Sequence, residues 1–185
     1  MGGLAEVQIS DSVVALTRRD MEMANRVIER DRRIDAIDAD LNAFTIEMLA
    51  LRQPMAIDLR IVVAALKISS ILERIGDYAT NIAKRTTPLT ETETPTLSGG
   101  TQSIARMATL VQGMLKNVLD AYIQRDADRA DDVRESDVEV DQIYTSLFRE
   151  LLTYMMEDPR NITTATHLLF VAKNVERIGD HITGI

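Results

Sequence analysis

A chain of 185 residues holds one domain or two compact ones, and its 45% apolar content is enough for a core. Glycine (8) and proline (4) are scarce and the aromatics are only Tyr (4) and Phe (3), a composition that favours helix throughout. The absence of cysteine excludes disulfides, thiolate metal sites and a cysteine nucleophile, two histidines leave little for imidazole catalysis, and a net charge of −8 disfavours nucleic acid.

Taken in chain order, Val13, Val14, Leu16, Met23 and Val27 form a short apolar pattern broken at Arg19-Asp20, where Asp20 is placed to cap a fresh helix. Ile34, Ile37, Leu41, Phe44, Met48 and Leu51 then recur at alternating spacings of three and four, the seam of a long helix. Ile61, Ala65, Ile68, Leu72, Ile75, Ala79 and Ile82 repeat that pattern. Between the two seams Gln53-Pro54 removes a backbone donor, which predicts a reversal and an antiparallel pair. From Thr86 to Gly100 the run TTPLTETETPTLSGG has no apolar period, and residues 88–100 are expected to form a linker. The helical pattern resumes through Ile104, Met107, Leu110, Val111, Met114, Leu115 and Val118, then through Val140, Ile143, Tyr144, Leu147 and Leu151, ending at Asp158-Pro159. No uncharged stretch approaches the roughly 18–20 apolar residues of a membrane span, and no secretory leader opens the chain, so neither insertion nor export is expected. Met1-Gly2-Gly3 is not read as a myristoylation signal, because Glu6 stands where Ser or Thr is needed.

The halves share letters as well as grammar. Glu73-Arg74-Ile75-Gly76-Asp77 returns as Glu176-Arg177-Ile178-Gly179-Asp180, and Arg19-Asp20, Ala24, Val27, Asp31 and Asp35 match Arg125-Asp126, Ala130, Val133, Asp137 and Asp141. A duplicated helical unit follows, with residues 1–87 and 101–185 as its two copies. The acidic deficit is uneven along the chain: residues 1–90 carry −1, from 12 basic against 13 acidic side chains, and residues 91–185 carry −7, from 9 against 16.

Both copies keep carboxylates at i and i+4, Asp31 with Asp35 and Glu73 with Asp77, then Asp137 with Asp141 and Glu176 with Asp180. Each pair lies on one face of its helix. A solvated acidic surface tolerates one such pair. Four pairs in register, two of them brought together by the reversal at Pro54, predict mutually repelling quartets that hard cations relieve. All-oxygen ligation suits iron(III), Mg²⁺, Mn²⁺ or Ca²⁺ better than structural zinc. On a helical wheel Glu73 and Asp77 fall roughly 130–170° from the Leu72/Ile75/Ala79 seam, and Asp31 and Asp35 roughly 90–130° from the Ile34/Ile37 seam. This places any metal on a solvent-facing flank, away from the core. Gly76 and Gly179, costly inside a helix by about 1 kcal/mol, predict close approach of a neighbouring helix or ligand. His181 could add a nitrogen ligand to the second quartet, although Tyr78 at the matching place favours a structural role; His167 is expected to be structural, and Arg74 and Arg177 solvated.

The stretch QPMAIDLRIVVAALKISSILERIGDYATNIAKR, Gln53 to Arg85, resembles the signature of the PhoU family, and the likeness extends over the whole chain. The resemblance implies two tandem three-helix bundles, all-α, packed side by side, with metal at the DxxxD and ExxxD motifs formed by Asp31/Asp35 with Glu73/Asp77 and by Asp137/Asp141 with Glu176/Asp180. It implies iron or zinc clusters in some members and Mg²⁺ or Mn²⁺ in others. It further implies a cytoplasmic negative regulator of phosphate uptake and of the phosphate-starvation response, not an enzyme. Such a homodimeric adaptor would link the ATP-binding subunit of a phosphate ABC transporter to a phosphate-sensing histidine kinase, touching the membrane only through those partners. Family members usually begin earlier and end later than this chain, which implies trimming at both ends. Two rival readings stand beside it: a carboxylate-bridged metal oxidase or storage bundle, and a metal-free structural helical dimer. The oxidase class wants Glu-x-x-His on two helices, and neither His167 nor His181 follows a glutamate by three residues.

Overall fold

An arginine and an aspartate form the first corner of each half. Helix α1 (Gly2–Arg18) closes at Arg19, whose backbone turns left-handed (φ 54°), and the Asp20 amide bonds back to the Ala15 carbonyl at 2.8 Å. The Asp20 carboxylate then accepts from the Met23 amide at 2.9 Å and starts α2 (Met21–Arg52), the cap expected from the sequence. The same device recurs where α5 (Ser98–Gln124) ends at Arg125 (φ 57°) and Asp126 accepts from the Arg129 amide at 3.0 Å to open α6 (Ala127–Glu157). An arginine held left-handed costs about 1–2 kcal/mol, and glycine there would cost the unfolded chain less than that in entropy. Arg125→Gly is therefore expected to raise stability by roughly 0.5–1 kcal/mol, read as a higher urea midpoint at unchanged slope.

The computed structural model describes residues 1–52, 55–91 and 97–185. The expected reversal at Gln53-Pro54 lies outside the described residues, as do 92–96 of the expected linker. The rest of that linker is largely helical: α4 (Thr86–Glu91) follows α3 (Ile57–Lys84) almost directly, and α5 already begins at Ser98. Pro88 did not prevent this, because in the first turn of a helix its missing amide has no partner to lose. After α6 a 3-10 turn (Pro159–Asn161), opened by Asp158 accepting from the Arg160 amide at 2.9 Å, leads into α7 (Ile162–Ile182).

Helices α1, α2 and α3 pack on one another, as do α5, α6 and α7, so the fold is all-α and built of two three-helix bundles side by side. One core runs through both, with Ile9, Leu16, Ile75 and Ile82 in the same buried cluster as Met107, Leu115, Leu168 and Ile178. The halves meet through α1 against α5 and α3 against α7. Equivalent residues face each other across this boundary: the Gln112 side chain donates to the Glu6 carbonyl at 3.2 Å, and Tyr78 stacks on His181 with ring centroids 5.4 Å apart. A residue meeting its own counterpart marks a two-fold axis, here relating the two copies within one chain.

The seam of α2 does not stay buried over the length its periodicity predicts. Ile34 is fully buried, but Phe44 is 61% and Leu51 75% exposed, because α1 has 17 residues against 32 in α2 and covers only the near half of the hairpin. Among the described residues no helix is long and apolar enough to cross a membrane.

Candidate metal centres

Helix α2 carries Asp31 and Asp35, and α3, packed against it, carries Glu73 and Asp77. The wheel reading is right for Asp35 and Asp77, which are exposed, and wrong for Asp31, which is only 9% exposed. The error is physical: a helix in a three-helix bundle has two neighbours, so its buried arc is wider than a single seam. Gly76 supplies the room. A methyl group on Gly76 would stand 2.8 Å from Asp31 Oδ1 and 3.1 Å from Ile34 Cδ1, so the carboxylate occupies the space that a side chain would need. Buried there, Asp31 Oδ1 has no hydrogen-bond partner. Burial raises the Asp31 pKa and Asp35 and Asp77 push it further; the nearby Thr80 hydroxyl opposes the rise without closing a hydrogen bond of ordinary geometry. Glu73, half-buried, is raised first by burial and then by Asp77, Asp35, Asp38 and Asp31.

Asp38 was not singled out in the sequence. It lies two turns beyond Asp31 on the same side of α2, and the Ser69 hydroxyl donates to its Oδ1. The spacing of seven from Asp31 was the available signal.

In the second half, α6 carries Asp137 and Asp141 and α7 carries Glu176 and Asp180. The glycine arrangement repeats: a methyl group on Gly179 would stand 2.6 Å from Asp137 Oδ1. Asp137 Oδ1 and Glu176 Oε2 are both buried without a partner, and Glu176, expected on the flank, is 9% exposed. Burial, then Asp141, Asp180 and Glu176, push the Asp137 pKa up to about 6. Oxygens of Asp141, Glu176 and Asp180 lie within 4.8 Å of one another; among the described residues no other three acidic or histidine side chains converge so closely. Lys173, also missed in the sequence, holds Glu176 Oε1 at 2.6 Å.

Neither histidine joins a quartet. His181 Nε2 lies 3.3 Å from the Tyr78 hydroxyl across the boundary between halves, and His167 Nδ1 lies 3.3 Å from an Arg85 nitrogen. Arg74 and Arg177 are exposed as expected, Arg177 with its guanidinium 6.0 Å from the Tyr78 ring. Each half thus has a two-helix wall of carboxylates with at least one oxygen buried, unpaired and aimed past a glycine. Leaving such an oxygen unpaired costs about 1–3 kcal/mol, more if it is charged, and an oxygen-seeking cation offsets that cost.

A family model described as the PhoU domain matches residues 1–86 and 104–185. The chain belongs to the PhoU family. It is 55% identical over 185 residues to a phosphate-specific transport system accessory protein PhoU homolog of Caulobacter vibrioides, covering all of this chain and 80% of that protein. It is 51% identical over 186 residues to the Rhizobium meliloti protein of the same description, covering 77% of it. Its fold is similar to the crystal structure of PhoU from Pseudomonas aeruginosa (TM-score 0.94, 38% identity, all of this chain and 87% of that one). It is also similar to that of the phosphate transport system regulatory protein PhoU from Streptococcus pneumoniae (TM-score 0.88, 30% identity, 99% of this chain and 84% of that one). These relatives are described as accessory and regulatory proteins of phosphate transport rather than as enzymes.

Proposed function

We propose that this PhoU chain is the accessory regulator of a phosphate-specific transport system, and that its two acidic clusters are cation sites serving that role. Asp31, Asp35, Glu73 and Asp77 would hold the first cation, and Asp137, Asp141, Glu176 and Asp180 the second. The observation that carries the metal reading is the pair of buried, unpartnered carboxylate oxygens, Asp31 Oδ1 and Asp137 Oδ1, each set against a glycine of the facing helix in the two copies. When bound, iron, Mg²⁺, Mn²⁺ or Zn²⁺ would neutralise each quartet and tie its two helices together. Both imidazoles are turned to other partners, His181 to Tyr78 and His167 to Arg85, which favours the oxygen-preferring ions over zinc.

On this reading residues 1–87 and 101–185 act as two units of one regulator, cytoplasmic and associated with the membrane through partners. The partners are the transporter's ATP-binding subunit and a phosphate-sensing histidine kinase, with homodimerisation of the chain, and the output is restraint of phosphate uptake and of the starvation response. Support comes from the names of the full-length relatives and from the large negative surface of the second half, which offers a docking face to basic partners.

A pull-down of the kinase and the ATP-binding subunit, with and without chelator, tests the reading. Retention that falls on chelation and with Asp31→Asn plus Asp137→Asn is expected; retention indifferent to both would leave the clusters without a regulatory role.

A further inference from the structure

The two clusters occupy equivalent places, yet what surrounds them differs. In the first, Asp38 extends the wall of carboxylates, held by the Ser69 hydroxyl, and Ser70 stands three residues before Glu73. In the second, the residue matching Asp38 is Tyr144, the residue matching Ser69 is Ala172, and the residue matching Ser70 is Lys173. Lys173 bonds Glu176 Oε1 at 2.6 Å, and its ammonium lies 5.3 Å from the centre of the Tyr144 ring, so the aromatic that replaces the carboxylate also steadies the cation. Arg74 and Arg177 occupy matching positions and cancel in the comparison. Lys84 is a further cation near the first cluster, but it is the weakest of the influences acting on Asp31 and makes no ion pair there.

Counting formal charges, the first cluster has five carboxylates with no ion-paired cation, and the second has four carboxylates and one lysine. A lysine among the carboxylates reduces their repulsion. Oxygens of Asp141, Glu176 and Asp180 lie within 4.8 Å of one another, and among the described residues no three carboxylates of the first cluster do. In the first, the unpartnered Asp31 Oδ1 belongs to a residue nine-tenths buried and points to a ligand; in the second, Asp137 Oδ1 and Glu176 Oε2 are the buried oxygens left unpartnered, while Lys173 holds the other oxygen of Glu176.

We infer, resting on the reading of both clusters as cation sites, that they are built for different affinities: the first is a tight site extended by Asp38, and the second is a weaker, exchangeable site in which Lys173 is a resident counter-ion. An arriving divalent cation must displace the Lys173 ammonium from Glu176 Oε1 before that oxygen is free to ligate. At a few ångströms in a partly solvated site, one unit charge changes the affinity for a divalent ion by on the order of tenfold or more. The second half would then respond to cation concentrations at which the first is already full.

The test is titration of the intact protein with Mn²⁺, followed by the electron paramagnetic resonance signal of free Mn²⁺ and by calorimetry, with circular dichroism as a check on the fold. Wild type should show two classes of site at least about tenfold apart, the tight class removed by Glu73→Gln and the weak class by Glu176→Gln. Lys173→Ser, which installs the residue of the first copy, should tighten the weak class by about tenfold; Ser70→Lys and Asp38→Asn should each weaken the tight one. Two equal classes in wild type, or a weak class unmoved by Lys173→Ser in a folded variant, would overturn the inference while leaving the cation reading intact. No binding in wild type at either cluster would overturn both.

Discussion

Alanine in place of Gly76 is expected to abolish cation binding at the first cluster while every ligand remains in the chain. The added methyl would stand 2.8 Å from Asp31 Oδ1 and 3.1 Å from Ile34 Cδ1, and both neighbours lie on α2 and are buried, so neither can swing into solvent. Helix α2 must move away from α3, which costs about 1–3 kcal/mol and is offset by about 1 kcal/mol of helix propensity. Net stability should fall by no more than about 2 kcal/mol, while first-site affinity falls at least tenfold. Gly179→Ala is milder: only Asp137 Oδ1, at 2.6 Å, must give way, with Val111 at an ordinary 3.5 Å, so the second site should be lost at little cost in stability. Gly113, exposed in α5 with nothing within 4 Å of an added methyl, is the control, and Gly113→Ala should stabilise by up to about 1 kcal/mol with binding unchanged. Calorimetric titration and urea melts of the three variants distinguish these outcomes. Undiminished binding in Gly76→Ala would mean that Asp31 is not a ligand.

The second large effect is a reversal of sign. In the metal-free fold Asp137 is pushed up to about 6, from 3.8 in the unfolded chain, by burial and by Asp141, Asp180 and Glu176. Between those values the folded state binds more protons than the unfolded one, so stability falls as pH rises from about 4 through about 6, and stays reduced above. Asp137→Asn removes that penalty. With chelator at pH 7.5 the variant should melt higher than wild type, by on the order of 2–4 °C, and the advantage should shrink through pH 6 and vanish near pH 4. Saturating Mn²⁺ should invert the order, because a ligand bound by the folded state adds stability in proportion to the logarithm of its saturation, and only wild type keeps the full second site. Thermal melts with chelator and with Mn²⁺ provide the check. A variant less stable than wild type without metal would show that the carboxylate is satisfied in a way the structure does not contain.

These expectations depend on features that were unequally legible in the sequence. The duplicated Glu-Arg-Ile-Gly-Asp run shows the two-copy plan, and the recurrence of Arg-Asp at 19–20 and 125–126 shows the corner, because helix ends are set locally by one left-handed residue and one cap. The acidic pairs are legible for the same reason, since i and i+4 on a helix share a face whatever the fold. Burial was not, because it depends on how many neighbours a helix has. Asp31 and Glu176 look solvent-facing against one seam and are enclosed by a second contact, while Phe44 and Leu51 look like core and find no helix opposite. Lys173 shows the limit most clearly. Comparing the copies exposes a serine-to-lysine difference, but only coordinates show its ammonium on Glu176 and over Tyr144. The stacking of Tyr78 on His181 is likewise a property of how the halves dock, and nothing in either copy alone announces it.

The most direct measurement is an anomalous difference map from crystals of the protein grown with Mn²⁺. Twin cation sites predict a peak in each half, at roughly 2.0–2.6 Å from carboxylate oxygens that include Asp31 in one and Asp137 or Glu176 in the other. A well-ordered map with both quartets in place and no anomalous density beside either would contradict the account.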